Sequence, residues 1–304
     1  MQSVQSAPSV VPAPSADPRP DRPEDVAAIM RGLYGDGFIG RPGAFPRELV
    51  ARIAEDVAVL AAEALRTPGG IVPRGPNRFY VEVHPERLRD LPALVGHPWI
   101  AAVCDAVLGE DWRVVEIGFD VLGPGAADQP WHRDFAAPPE TTRGRRLNSL
   151  AFNMPLVDVG DDMGPLEIAP GTQWDDLSDA PKGMFPPESS WPRYQALAQR
   201  KTPRMGDVSA RSALTVHRGT ASRSDRQRPV LVLGIDAPDA RNGERHDLQL
   251  TREAERRMAP ELRRRLRARI VDRLEPIVQA HQIEGLDTGR VDVSRMTPQV
   301  PAKA

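Results

Sequence analysis

Between residues 112 and 236 the chain changes period, and that change limits the folds open to it. Segments 112–122, 147–157, 165–169, 207–216 and 228–236 are short, rich in β-branched residues and separated by Gly, Pro and Asp clusters. Such segments build an all-β barrel or sandwich rather than a helical bundle. On either side the spacing is helical. Residues 24–34 set Val26, Ile29, Met30 and Leu33 on one side, and Gly35-Asp36-Gly37 breaks the pattern. Pro46 suits a first helical position, and Leu49, Ile53, Val57, Leu60 and Ala64 follow at spacings of three and four until about Arg66. A third helix is expected from about Pro98 to Leu108. A C-terminal helix is expected over about 251–283, with Leu262, Leu266, Ile270 and Leu274 every fourth residue and Pro260 and Pro276 dividing it.

The expected organisation is one domain over 23–290, mainly β with α-helical decoration. It has a helical part at about 23–110, a β core at about 111–240 and the C-terminal helix. Residues 1–22, rich in Pro, Ser and Ala, read as a disordered tail, and 291–304 as a flexible one. Forty Lys and Arg against 42 Asp and Glu leave a net charge of −2, so no general field favours nucleic acid or an anionic membrane. No run approaches the roughly 20 apolar residues of a membrane span. The N-terminal residues lack the basic start and apolar run of a secretory signal. A single cysteine, Cys104, excludes an internal disulfide and fits a reducing compartment, so a cytoplasmic location is expected. The arginine run 263–269 is interspersed with Glu253, Glu255, Glu261, Asp272 and Glu275. It reads as a solvated helix docked on the barrel, with a homodimer contact as an option.

The candidate chemistry starts at Trp131-His132-Arg133-Asp134. On a strand, residues i and i+2 share a face, so His132 and Asp134 would point together into a barrel while Arg133 points away. One later histidine, His217, would complete two imidazoles and a carboxylate, the facial set used by non-haem Fe(II) oxygenases. It is expected from a strand across the barrel. Alone, H-x-D is unspecific, and on the tripeptide by itself a surface pair with His217 as a core histidine is the favoured reading. Two flanks add weight. Arg228 opens an otherwise apolar strand after His217, and a buried arginine needs a carboxylate, from the protein or from a ligand. Gly164-Pro165 and Pro170-Gly171-Thr172 bracket a short strand, and Thr172 is either an ordinary turn residue or a hydroxyl donor to the same carboxylate.

Together, Gln129-Pro130-Trp131-His132-Arg133-Asp134, Gly164-Pro165-Leu166 to Pro170-Gly171-Thr172, His217-Arg218-Gly219-Thr220 and Arg228 resemble the phytanoyl-CoA dioxygenase family of Fe(II)- and 2-oxoglutarate-dependent oxygenases, from about Asp36 to Asp236. The resemblance implies a double-stranded β-helix, or jelly roll, with iron held by His132, Asp134 and His217. It implies Arg228 on the distal carboxylate of 2-oxoglutarate, with Gln129 and Thr172 near this cosubstrate and Arg78 as a further contact; otherwise Arg78 is a solvated strand residue. It implies O2 as the oxidant and succinate and CO2 as products. Gln173 and Ser222 depart from the family's usual His and Asn. The retained Asp134 argues against halogenation, in which relatives replace this carboxylate.

The substrate expected is a small organic molecule, with a specialised metabolite as the leading class. Met184, Phe185 and Trp191, in the Pro-rich stretch 175–203, and Phe119 and Phe135 beside the tripeptide are the candidate substrate contacts. The aromatics of the stretch equally suit pinning it to the domain. Two other classes stay open: a cupin-type metal enzyme that needs no cosubstrate, and a non-catalytic small-molecule-binding jelly roll.

Overall fold

A computed structural model describes residues 25–136, 139–240, 245–276, 291–292 and 296. The tail 1–22, most of 291–304 and residues 277–283 of the expected C-terminal helix lie outside them. The helices are α1 (Val26–Arg31), α2 (Arg47–Arg66), α3 (Leu91–Val95), α4 (Pro98–Leu108), α5 (Pro139–Gly144), α6 (Trp191–Leu197), α7 (Arg252–Arg257) and α8 (Pro260–Arg265). The strands are β1 (Phe38–Arg41), β2 (Val72–Pro73), β3 (Arg78–Glu82), β4 (Arg113–Leu122), β5 (Ser149–Pro155), β6 (Leu166–Ile168), β7 (Gln199–Lys201), β8 (Val208–Ser212), β9 (His217–Gly219), β10 (Arg228–Asp236), β11 (Gln249–Thr251) and β12 (Arg269–Val271).

Seven strands pair antiparallel in the order β1-β8-β5-β10-β4-β3-β2, and β7-β6-β9 form a smaller antiparallel sheet. The two sheets enclose a cavity, the layout of a jelly roll. The large sheet separates its faces by alternation, interrupted by a register shift at Gly234/Ile235. On β10, Leu231, Leu233 and Ile235 join the core under the helices, while Arg228, Val230, Val232, Gly234 and Asp236 line the cavity. On β5, Phe152 and Met154 go to the core, and Ala151 and Asn153 to the cavity. Helix α2 covers the core face with Val50, Ile53, Val57, Leu60, Ala61 and Ala64, and α4 adds Trp99, Ile100, Val103 and Cys104. The ring of Trp99 meets that of Phe152 edge-on at 6.1 Å, joining the helical layer to the sheet.

Two expectations change. The region 23–110 is not only helical, because β1, β2 and β3 from it complete the large sheet. These strands are two to five residues long, too short for a periodic signal to stand out. In place of one C-terminal helix there are two six-residue helices and a strand. Met258 and Ala259 are extended ahead of Pro260, as a residue before proline prefers, and Leu266 leaves α8 with φ −91° and ψ 129°. Its neighbour Arg267 donates its backbone N–H to Val114 O at 3.0 Å, and β12 then pairs in parallel with β11. Leu262 and Ile270 therefore do not share a helix face. The stretch 175–203 carries α6 and β7 as well as short 3-10 turns.

The turn after α1 is tied to the histidine strand. Gln173 Nε2 donates to Tyr34 O and Gly35 O, each at 3.0 Å, and Thr215 Oγ1 donates to Gly37 O at 3.0 Å. Gly37 has φ +75°, and a Cβ there would meet Thr215 Oγ1 at 2.2 Å, so only glycine fits. Replacing Phe152 with Ala, which removes a buried ring from the sheet–helix contact, is expected to cost about 3–5 kcal/mol in a denaturant titration.

Candidate metal centre

His217 lies on β9, and His132 bridges to it directly. Each donates its backbone N–H to the other's carbonyl at 2.9 Å. Directly opposed residues of an antiparallel pair present their side chains on one face, so the second histidine comes from the adjacent strand rather than from across the barrel. The imidazole centroids are 4.4 Å apart. Asp134 arrives two residues later, held by its backbone N–H on Ala213 O at 3.1 Å. Its Oδ1 lies 3.4 Å from His217 Nε2. One nitrogen from each histidine and one Asp134 oxygen fall within 4.8 Å of one another.

Both tautomers are set by the backbone. His132 Nδ1 meets Pro130 O at 2.8 Å, and His217 Nδ1 meets Thr215 O at 2.9 Å. A carbonyl only accepts, so each Nδ1 carries the proton and each Nε2 keeps its lone pair for a ligand. Burial pushes His132 down to about 4 and His217 well below its ordinary value. Burial pushes the Asp134 carboxyl up, but Arg211, then His217, outweigh it and hold the group below the usual range. The site therefore offers two neutral imidazoles and a carboxylate, a donor set that fits a divalent metal with open positions.

Arg133 points away as expected, and its buried guanidinium donates to the carbonyls of Thr172 and Asp175. Arg78 and Arg228 both line the cavity. They sit opposite Leu122 of β4 from its two sides, so their side chains converge. Arg78 is buried rather than solvated. It donates to Gln129 Oε1 and to Thr220 O, both at 3.1 Å, while its Nε has no partner. Burial lowers its pKa to about 10. Among the described residues Arg228 makes one side-chain hydrogen bond, from Nε to Met163 O at 3.1 Å, and no carboxylate pairs with its terminal nitrogens. Gln129 reaches the cavity but spends its amide on Arg78, Gly219 N and Arg74 O.

Four of the expected contacts do not line the cavity. The Thr172 hydroxyl donates to Ala169 O at 2.7 Å and accepts from Val216 N at 2.9 Å. It is fully buried outside the cavity and anchors the strand leading to His217. Phe119 has the core parity of β4, opposite Leu231 and Val81, and faces the helices. Phe135 and Met184 do line the cavity. Phe185 is not among its lining residues but stacks on His132 at 6.1 Å. Trp191 packs with Trp131 and Tyr194 and donates to Pro186 O, so it pins its segment.

Arg211 escaped the sequence reading. It is buried on β8 and grips Asp134 with both terminal nitrogens, Nη1 to Oδ2 at 2.8 Å and Nη2 to Oδ1 at 3.3 Å. Val208-Ser209-Ala210-Arg211 alternates apolar and polar residues, and that pattern was the available signal. The cavity measures about 810 Å³, within the range of small-molecule sites.

The sequence model described as Phytanoyl-CoA dioxygenase (PhyH) matches residues 33–230. The chain belongs to the phytanoyl-CoA dioxygenase family. Among solved structures, this family member resembles the epimerase SnoN in complex with Fe3+, alpha-ketoglutarate and nogalamycin RO, at 22% identity over 70% of this chain and 85% of that one, with a TM-score of 0.56. It also resembles the non-heme alpha-ketoglutarate-dependent carbocyclase SnoK from nogalamycin biosynthesis, at 21% identity over 71% and 88%, TM-score 0.56. A third likeness is to AviO1 from Streptomyces viridochromogenes Tue57, at 20% identity over 73% and 99%, TM-score 0.53. At these identities the likeness shows the shared fold. No curated protein matches the chain. No helix among the described residues is long and apolar enough to cross a membrane.

Two outcomes test this site. In the metal-free protein the folded His132 takes a proton only near pH 4, whereas the unfolded one does so near 6.5. Its contribution is complete above pH 6.5 and is lost as pH falls toward 4, because the unfolded state then binds the proton first. Urea midpoints measured stepwise across that window should fall, and His132→Gln should flatten the fall. Thr172→Val leaves Val216 N–H and Ala169 C=O unpaired and is expected to cost about 1–3 kcal/mol in the same assay. Calorimetric titration should show none of the selective loss of 2-oxoglutarate affinity expected for a cavity contact.

Proposed function

We propose that this chain is an Fe(II)- and 2-oxoglutarate-dependent dioxygenase that oxidises a C–H bond of a small organic substrate, with hydroxylation as the leading outcome. The observation that carries it is the pairing of two features in one cavity. Two imidazole Nε2 atoms and the Asp134 carboxylate converge, and the buried Arg228 lining the same cavity has no carboxylate on its terminal nitrogens among the described residues. Family membership and the alpha-ketoglutarate dependence of SnoN and SnoK support the same reading.

His132, Asp134 and His217 would hold the iron, and Arg228 the distal carboxylate of 2-oxoglutarate. When bound, iron and cosubstrate supply the oxidising power: O2 is consumed, 2-oxoglutarate leaves as succinate and CO2, and one oxygen atom goes to the substrate. The rest is positioning. Pro130 O and Thr215 O keep both Nδ1 protons in place, so the imidazoles bind as neutral ligands. Arg228 can take a carboxylate through two parallel hydrogen bonds in a buried setting, where such bonds are strong. Arg78 adds a second charge beside it, held by Gln129. Phe135 and Met184 supply apolar wall near the metal-binding residues, which shields the reacting C–H bond from water and limits its orientations.

A cupin-type enzyme without cosubstrate would have no use for Arg228, and a simple binding protein no use for a complete ligand triad. The substrate favoured is a specialised metabolite of a size suited to the cavity. The test is anaerobic addition of Fe(II) and 2-oxoglutarate, with the weak visible charge-transfer band of the chelate as readout. The band is expected in the native chain and absent in His132→Ala, Asp134→Ala and His217→Ala. Arg228→Gln should keep metal binding and weaken 2-oxoglutarate about 30-fold or more, the scale of losing a buried charged pair. Folded, iron-loaded protein with no band would overturn the reading.

A further inference from the structure

Arg211 is a buried cation that no step above requires, and its geometry is specific. Nη1 lies 2.8 Å from Asp134 Oδ2 and Nη2 3.3 Å from Oδ1, a two-point grip on one carboxylate. Nη1 also lies 3.3 Å from His217 Nδ1, the ring nitrogen on the side away from the Nε2 lone pair. The guanidinium therefore sits behind two of the three metal-binding residues, on their Oδ2 and Nδ1 sides. The Asp134 oxygen nearest the His217 lone pair is Oδ1, at 3.4 Å from Nε2. Strand pairing leaves the arginine little freedom to leave, since Arg211 is opposite Phe38 on one side and Ala151 on the other.

We infer that Arg211 is a positioning residue whose two-point grip fixes the plane of the Asp134 carboxylate, so that Oδ1, the more loosely held oxygen and the one nearest His217 Nε2, is the one offered to a metal. This rests on the iron reading above and extends it. A free carboxylate rotates about its Cβ–Cγ bond and can clasp an ion with both oxygens. That would occupy a coordination position that 2-oxoglutarate or O2 needs. A planar fork on the carboxylate removes this option, because it fixes rotation about Cβ–Cγ and holds Oδ2, at 2.8 Å, more tightly than Oδ1, at 3.3 Å.

Removing the aspartate gives the pocket a defined new property. Arg211 remains, with its fork aimed at the vacated position, and together with the metal it forms a receptor for a small carboxylate. The experiment is a formate titration of Asp134→Ala loaded with Co(II), read by the visible cobalt spectrum, which reports ligand number. Formate should restore a spectrum close to that of the native cobalt protein. Asp134→Ala/Arg211→Met should need at least about ten times more formate, the scale of losing a partner behind a metal ligand. A merely structural arginine would change the melting temperature of the double variant but not its formate dependence.

A second measurement avoids the aspartate variant. Arg211→Met in the otherwise intact chain should shift the cobalt spectrum toward a higher ligand number and weaken 2-oxoglutarate binding about tenfold. Arg211→Lys, which keeps the charge but not the fork, should fall between. Equal formate dependence with and without Arg211, no response to formate with Arg211 intact, or an unchanged spectrum in Arg211→Met would each overturn the inference. Failure of the native chain itself to bind Co(II) and 2-oxoglutarate would instead count against the iron reading.

Discussion

The pair of backbone hydrogen bonds between His132 and His217 is the contact on which the site rests. It brings together residues distant in sequence and makes their imidazoles neighbours without help from the side chains. Everything around it keeps that bridge in register. Thr172 holds Val216, Gln173 and Thr215 hold the turn after α1, and Arg133 fastens the other strand to the Thr172 and Asp175 carbonyls. The buried polar groups nearby are thus largely scaffolding for one short two-residue ladder. Its isolation is consistent with that need, because a single bridge contributes little stability on its own.

Electrostatics follow from burial at the same place. Histidines exposed to water would carry a proton over part of the physiological range and lose their use as ligands. Here desolvation keeps them neutral, while the cations Arg211, Arg78 and Arg228 surround the carboxylates Asp134 and Asp120 in the cavity. The chain as a whole is nearly balanced in charge, so this local excess cannot be read from composition. It arises because the fold collects arginines from β3, β8 and β10 on one face.

The residues most legible in sequence were those whose pattern is long or whose chemistry is unusual. The helix at Pro98–Leu108 and strand β10 match their expected bounds because each carries many periodic positions or a clear start. His132, Asp134 and His217 stood out as residue types, and the structure gathers them. Short elements were opaque: β1, β2 and β3 lie in a region read as helical, and Pro260 with Leu266 divided a helix whose apolar spacing looked continuous. Thr172 and Phe119 show a further limit. A turn threonine near a site can serve the backbone, and an aromatic one position out of phase in a strand belongs to the opposite face. Arg211 is the converse, in phase with the cavity yet unmarked by any motif.

The alternation within the large sheet has a consequence for how such a protein can change. Odd and even positions of β10 and β5 answer to different neighbours, the helical layer on one side and the enclosed space on the other. Positions such as Val230, Val232, Ala151 and Asn153 can be re-lettered without opening a void beneath α2 and α4. Stability and selectivity are therefore written on separate tracks of the same strands, and drift in one need not be repaired in the other. A scaffold wired in this way can acquire a new substrate by a few substitutions while its His-Asp-His cluster and its packing stay as they are.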